Sequence, residues 1–311
     1  MGGPSQEHAI SLKSGRGVVE ALRAQGFNVE PVEVPHELTT DSACGWTRDI
    51  LLALNPDVVF IALHGTFGED GAVQQVCEDL NLPYVGSDVQ ASRLGMDKLA
   101  SRKRFQEAGL DVPRSCAVRA DSPDLSAVEA LAFPLVVKPI DQGSSVGVTL
   151  VRKPDELQPA ITEAGRFSAK VLVDEFVRGR ELTVGVLGSR ALPVVEVIPK
   201  AGFFDFASKY TVGMTEYKVP AVLDPETAAR VQAIGWRAHQ AIGCRHLSRT
   251  DLILTPDGRG VILEVNTIPG FTPTSLLPKA AACVGLSYDA LCRQLVEMAA
   301  GGARHSMKTK A

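Results

Sequence analysis

The sequence predicts a mixed fold: an α/β segment on a parallel sheet over residues 1–92, then two α+β segments over 93–180 and 181–311. Three observations predict it. Helical and strand patterns alternate through 15–92, the rhythm of parallel strands joined by crossover helices. Short strands cluster around two helical patterns between 93 and 180. Beyond 181, strand pairs, a long helix and a hairpin follow one another without that rhythm. A chain of 311 residues has room for two or three such units.

Each element has its signal. Residues 17–26 read as a helix ending at glycine, 28–34 as a strand, 47–54 as a helix and 57–63 as a strongly apolar strand. A helix over 72–80 and a short strand at 84–85 follow. The charged helix 97–108 takes Asp97 as its N-cap. Strands are predicted at 114–118, 135–138, 146–151 and 170–174, with a helix over 154–163 whose proline sits in the first turn. Strands 182–187 and 192–198 precede a long aromatic loop, 199–220. Then come a helix over 225–242, a hairpin over 247–265, helices at 276–284 and 288–300, and a small, basic tail expected to fray from 301.

Composition removes several function classes. With 45% hydrophobic and 22% charged residues the chain is not disordered throughout. A net charge of −4 leaves no basic footprint for nucleic acid or an anionic membrane. No apolar run approaches the roughly 20 residues of a membrane helix, and the first residues do not form a secretory signal. The six cysteines are scattered without C-x-x-C spacing, which points to reduced thiols in a cytoplasmic protein.

Four segments carry chemistry. In 249–270 an Asp257-Gly258 pair between two apolar runs signals a two-residue hairpin turn. That centre places Asp251 opposite Glu264 and Arg249 opposite Asn266, all on one face, since strand side chains alternate. Three oxygen donors beside one guanidinium suit Mg²⁺, which takes hard oxygen ligands and fills its octahedron with water and phosphate. A solvated polar face is the competing account, but the strand breaks at Pro269-Gly270, beside the donors. In 135–148 a buried strand ends in Lys138 and a loop with Gly143, Ser144, Ser145 and Gly147 follows, a means of cradling phosphate. A flexible hairpin accounts equally well for that loop, and Lys98 alone could be a surface lysine. In 63–71, His64, Glu69 and Asp70 lie after a strand and before a helix, where open sheets bind ligands. A structural histidine and two capping carboxylates would look the same. In 170–187 a strand delivers Asp174, Glu175, Phe176 and Val177 to a turn before Glu181, a place where adenine could lie; an ordinary strand pair is the default.

Taken jointly, these segments resemble the ATP-grasp ligases, and among them the D-alanine–D-alanine ligases. GGPSQEHAISLKSG, HGTFGEDG, MDK, VKPIDQGSSVGV, DFASKY, RTDLIL and LEVNTIPG occur in the family's order, nearly end to end. The resemblance implies a Rossmann-like preATP-grasp domain followed by a two-lobed ATP-grasp fold. It implies ATP-dependent joining of two D-alanine molecules through an acyl phosphate, for peptidoglycan precursors. Lys98 and Lys138 would contact ATP phosphates, and 144–147, including Ser145, would close over them. Residues 174–177 would read adenine, with Glu181 on the ribose. Asp251, Glu264 and Asn266 would hold two Mg²⁺ ions, with Mn²⁺ able to substitute. Arg249 and the Gly270 N–H would stabilise the tetrahedral intermediate. Glu7 would bind the first ammonium and form a closing network with Ser144 and Tyr210. His64 would lie near the reacting groups, and Lys209 and Ser275 would hold the second carboxylate. A homodimer is implied, with no nucleic-acid or membrane partner.

Departures from the family pattern stand out. Asp174 replaces glutamate, which is expected to shorten the reach to adenine N6. Thr250 replaces an aliphatic residue and should point away from the metal face. His246 and Gln75 replace glycines. Relatives carry an apolar strand before Gly-Gly; here Met1-Gly2-Gly3 open the chain. The first strand is therefore expected to be lacking, through a misassigned start or a truncation, with a weakened N-terminal domain and a poorly held Glu7. A ligase for another amino or hydroxy acid, and a nucleotide-binding module without catalysis, are the competing functions.

Overall fold

The computed structural model describes residues 1–143, 146–199 and 215–308. Helix α1 (His8–Ala24) begins well before residue 17. Its glycines lower helix propensity, but packing demands them. A Cβ on Gly15 would overlap the Met1 side chain, and one on Gly17 would lie 3.0 Å from the Tyr288 hydroxyl. Helix α2 (Thr40–Leu54) also starts early, because the Thr39 hydroxyl accepts the Ser42 N–H at 3.3 Å. Strands β1 (Val59–Phe60) and β2 (Tyr84–Val85) pair in parallel around α3 (Ala72–Asp79).

The strand expected at 28–34 does not form. Only Val34 pairs, with Gly2, in an isolated parallel bridge. Residues 1–3 make three main-chain bonds to 32–34: Met1 N to Val32 O and Val34 N to Met1 O at 2.9 Å, and Gly3 N to Val34 O at 2.8 Å. A strand exists through its partner, and residues 28–31 have none here. Glu7 is nonetheless anchored: its N–H donates to the Ser5 hydroxyl and its carbonyl accepts the Ser11 N–H.

Helix α4 (Val89–Met96), capped by Asp88, was not expected and crosses the boundary placed at residue 92. Helix α5 (Lys98–Glu107) has Asp97 as its cap, accepting from Leu99 N at 2.9 Å and Ala100 N at 3.0 Å. Both helices share a core with Ala238, Ile242, Ile262 and Val265, so 89–107 packs with the last segment.

Strands β3 (Ser115–Arg119), β4 (Leu135–Pro139), β5 (Thr149–Val151) and β6 (Lys170–Glu175) form an antiparallel sheet in the order β3-β6-β4-β5. A 3₁₀ turn at Pro154–Glu156 leads into α6 (Leu157–Ala164), which closes this lobe's own core. The larger sheet holds β7 (Arg180–Leu187), β8 (Arg190–Ala191), β9 (Val195–Pro199), β10 (Thr215–Lys218), β11 (Leu247–Leu254) and β12 (Gly260–Asn266). Its order is β10-β9-β7-β11-β12, with β8 on β7. Strand β10 corrects the loop expected through 220; residues 200–214 lie outside the described ones. Helices α7 (Pro225–Ile242), α8 (Leu276–Ala282) and α9 (Tyr288–Lys308) complete the fold. Helix α9 runs to Lys308, through the tail expected to fray. Among the described residues no helix is long and apolar enough to cross a membrane.

The functional hairpin reaches its predicted register by two compensating departures. Gly258 N donates to Thr255 O and Thr255 N to Arg259 O, both at 2.9 Å, so three residues, 256–258, turn the chain, with Gly258 at φ +85°. That alone would put Leu263 opposite Asp251 and turn Glu264 to the other face. A bulge at Leu263 inserts one residue and restores Asp251 opposite Glu264 and Arg249 opposite Asn266.

His246 also finds its reason. It sits at φ +58°, where glycine is at ease, but its Nδ1 accepts the Gly86 N–H at 3.1 Å and ties β2 to β11. Burial first, and Arg245 second, push this histidine down to about 4; burial does the same to His239, down to about 4. Both fold neutral. Below about pH 6.5 the unfolded chain takes up protons that the folded chain refuses, so stability is full above that pH and falls as pH drops toward 4. His246→Asn keeps an acceptor and tolerates the left-handed backbone, so it should flatten this acid slope. Urea unfolding at pH 7 and pH 4.5 checks it; equal slopes for both proteins would remove His246 from the acid response.

Candidate active site

The two antiparallel sheets face each other across a cavity of about 360 Å³. Its floor on the large lobe is Asp251, Ile253, Leu263 and Glu264; its opposite wall is Val136, Lys138 and the loop flanks Gln142 and Val146. The connector 175–179 joins β6 to β7 along one side, bringing Phe176, Val177 and then Glu181 to the cavity. Apolar walls with charged residues at one end suit a flat heterocycle carrying anionic groups. A second, smaller cavity, lined by Glu69, Lys98, Gly143, Glu264 and Asn266, leads toward the N-terminal segment.

The face of Arg249, Asp251, Glu264 and Asn266 is assembled as the register dictates. Arg249 engages Asp251 with both arms, Nε to Oδ1 at 2.8 Å and a terminal nitrogen to Oδ2 at 2.7 Å. Asp251 also accepts from the Thr183 hydroxyl at 2.7 Å and the Asn266 amide at 3.1 Å. Burial works against the Arg249 charge, but Asp251, Glu264 and Glu69 more than offset it and hold the guanidinium above its usual value. Lys98 Nζ stands 3.6 Å from Glu264 and donates to Gln142 O at 2.5 Å. Two carboxylates and one amide oxygen are a fitting partial shell for a hard divalent cation that draws its other ligands from phosphate and water. Among the described residues no cluster of three His, Cys, Asp or Glu offers a fuller one. Thr250, as expected, points away, its hydroxyl donating to Gly235 O.

Lys138 and Asp174 both border the cavity, and they are ion-paired there. The Asp174 carboxylate is buried, gripped by both arms of Arg102 at 2.5 and 2.7 Å, and Lys138 Nζ lies 2.9 Å from it. Burial would raise Asp174; Lys138 and Arg102 overrule it and hold the carboxyl below its usual range. Both of its side-chain oxygens are thus held by cations. Glu175 likewise turns its carboxylate outward to Arg114 at 3.1 Å and to the Ala132 N–H at 3.0 Å, leaving main chain as its share of the cavity wall.

On the N-terminal side, His64 is buried, with Nε2 3.0 Å from the Ser14 hydroxyl and Nδ1 3.8 Å from Glu69. Glu69 accepts the Gly65 N–H at 2.9 Å and so does more than cap a helix. Burial pushes its carboxyl up, helped by the charge of Glu7 and opposed by His64. Glu7 lies against two glycines: a Cβ on Gly65 would be 3.0 Å, and one on Gly143 3.6 Å, from its Oε2. Its carboxylate thus meets the glycine loop. Ser275 accepts the Thr272 N–H at 3.0 Å, and a Cβ on Gly270 would lie 3.3 Å from its hydroxyl, so these two stand together at the mouth of α8. Ser144, Ser145, Lys209 and Tyr210 lie outside the described residues.

Sequence patterns missed Arg102 and Thr183. Arg102 stands one helical turn after Lys98 in MDKLASR, and Thr183 lies directly across β11 from Asp251; only the pairing of strands brings either into view.

Known proteins resemble this chain in sequence and in fold. The model described as "D-ala D-ala ligase C-terminus" matches residues 105–297, and that for the N-terminus matches 46–87. A D-alanine–D-alanine ligase of Granulibacter bethesdensis is 44% identical over 304 residues, 96% of this chain and 95% of its own. One of Halalkalibacterium halodurans is 43% identical over 303 residues, covering 96% of each. The crystal structure of the Bacillus anthracis D-alanine–D-alanine ligase complexed with ATP superposes with a TM-score of 0.85 at 28% identity, over 98% of this chain and 97% of that one. A D-Ala:D-Ser ligase from Enterococcus faecalis gives 0.83 at 31% identity, over 96% and 97%. By sequence over nearly its whole length and by fold, this chain belongs to the D-alanine–D-alanine ligase family.

Proposed function

We infer that this chain joins two D-alanine molecules into D-alanyl-D-alanine, converting ATP to ADP and phosphate, as a step toward peptidoglycan. The observation that carries this is the face of Arg249, Asp251, Glu264 and Asn266, of which Asp251 and Glu264 line a cavity whose other wall presents Lys138, with Lys98 3.6 Å from Glu264.

The chain's own residues suit the chemistry. A D-alanine carboxylate must attack the terminal phosphoryl group, anion on anion, so cations must screen both. Lys98 and Lys138 supply two such charges. Asp251, Glu264 and Asn266 would hold Mg²⁺, two ions with Mn²⁺ as an alternative, which when bound polarises phosphoryl oxygens. Phe176 and Val177 would flank the base, main chain at 175–177 would read its edge, and Glu181 would take the ribose hydroxyls. Glu7 would hold the first ammonium beside the loop bearing Ser144, with Tyr210 closing the network. The second amine then attacks the acyl phosphate. Arg249 and the Gly270 N–H would meet the developing oxyanion, while Lys209 and Ser275 would fix the second carboxylate near His64. The acyl phosphate must be kept from water, a task for loops 143–147 and 199–220. The same reading places the enzyme in the cytoplasm as a homodimer.

The likeness to a D-Ala:D-Ser ligase favours a second reading, in which the second substrate differs. One assay separates them: phosphate release from ATP with Mg²⁺ and D-alanine, compared with D-alanine plus D-serine or D-lactate, and with L-alanine alone. Release that needs D-alanine and depends on two molecules of it is expected. Release that needs D-serine would move the chain to the second reading, and none with any D-amino acid would refute both.

A further inference from the structure

Arg102 belongs to none of the segments that the family pattern marks. It projects from α5 four residues after Lys98, on the same helix face. Its residue exposure is 4%, and it does not border the cavity. Both its arms reach Asp174, at 2.5 and 2.7 Å. Lys138, which does border the cavity, stands 2.9 Å from the same Asp174 Oδ2. One carboxylate is thus divided between two cations, one facing inward and one facing the nucleotide cavity. Among the described residues the buried Arg102 Nε has no acceptor, an omission that costs stability. Buried ion pairs are in any case a poor route to stability, so the motive for this one lies elsewhere.

We propose that Arg102 is a positioning residue for nucleotide binding: by occupying both oxygens of Asp174 it leaves Lys138 incompletely claimed, so that the lysine charge faces the phosphates of the bound nucleotide. This role rests on the cavity being the nucleotide site. The three groups carry a net charge of +1 as they stand. Without Arg102 that falls to zero, and Lys138 closes onto Asp174 as a self-contained pair. Burial presses the Lys138 ammonium down from its usual value; Asp174 opposes this, and the nearby charges of Arg102 and Lys98 add to it. Since Asp174 is the last residue but one of β6, the guanidinium fixes the end of the strand from which the adenine connector departs.

The test uses calorimetric binding of ADP and steady-state kinetics on four proteins: wild type, Arg102→Met, Arg102→Lys and the pair Arg102→Met with Asp174→Asn. Arg102→Met should weaken ADP binding about tenfold or more and raise KM for ATP in step, with KM for D-alanine within twofold. Arg102→Lys, a point charge without the two-armed grip, should fall between. The double variant should recover most of the ADP affinity, because Lys138 is again free of a buried counter-charge. A merely structural arginine would lower the melting temperature of both Met variants and show no such recovery. Wild-type affinity in Arg102→Met, or no recovery in the double variant, overturns the role. If Arg102→Met does not fold, Arg102→Lys decides: unchanged ADP affinity overturns the role, and at least threefold weaker binding supports it. A wild-type chain that binds no ADP would overturn the nucleotide site itself, a result distinct from these.

Discussion

Asp251→Asn should lower D-alanine-dependent phosphate release about a thousandfold while leaving ADP binding without divalent cation within threefold of wild type. The side chains are nearly isosteric, and an asparagine carbonyl can still accept the Thr183 hydroxyl bond seen at 2.7 Å. What is lost is one of two carboxylates on the cation-binding face. Transition-state charge stabilisation by a bound divalent ion is worth several kcal/mol, and about 4 kcal/mol corresponds to a thousandfold in rate. The variant also leaves the Arg249 fork without its anion, so the two deficits add on the same reaction. Titrating Mg²⁺ against rate and against ADP affinity separates metal loss from misfolding. A rate within tenfold of wild type with an unchanged Mg²⁺ dependence would take Asp251 out of the metal site.

The parts of the fold that were legible in sequence are those fixed by local chemistry. Asp97 caps α5 and Pro225 opens α7 because a cap and a first-turn proline act within a few residues. The parts that failed depend on distant partners. The alternating segment 28–34 has a strand's pattern, yet it forms no ladder because only residues 1–3 lie beside it. Gly15 and Gly17 look like helix breakers until Met1 and Tyr288 are placed against them. The site shows the same division. The facing of Arg249, Asp251, Glu264 and Asn266 was predicted correctly from an incorrect turn, since the three-residue loop and the bulge at Leu263 shift the register in opposite senses. The partner of Asp174 was not legible, because sequence shows its neighbours in the chain and not Arg102, which arrives from α5.

A common feature of the site follows from these pairings. Each cation that lines the larger cavity already has a carboxylate nearby: Lys98 lies beside Glu264, Lys138 beside Asp174 and Arg180 beside Glu196; Arg249, next to them, holds Asp251. Desolvated charges must be compensated whether or not a ligand is present. Ligand binding at such a site exchanges partners and does not create charge pairs afresh, so the positions of the cations are set before substrates arrive. Electrostatic preorganisation of this kind is the largest single source of rate in many enzymes.

Arg249→Lys tests that preorganisation where it should matter most. Arginine meets Asp251 with two parallel bonds at 2.7 and 2.8 Å, which fixes both the guanidinium plane and the carboxylate. Lysine keeps the charge and loses the plane. If Arg249 acts on the oxyanion formed when the second amine attacks, its loss falls on the second chemical step. Removing one such donor costs about 3–4 kcal/mol, so dipeptide formation should fall between a hundredfold and a thousandfold. Phosphorylation of the first D-alanine would rely on Lys98, Lys138 and the residues proposed to hold Mg²⁺, and should suffer less. The acyl phosphate would then wait longer for its amine and hydrolyse more often. The expected signature is therefore a ratio: dipeptide formed per phosphate released, near one in the wild type, should drop well below one in Arg249→Lys. A ratio that stays near one while both rates fall together would assign Arg249 to the phosphoryl-transfer step, acting through Asp251 and not on the oxyanion.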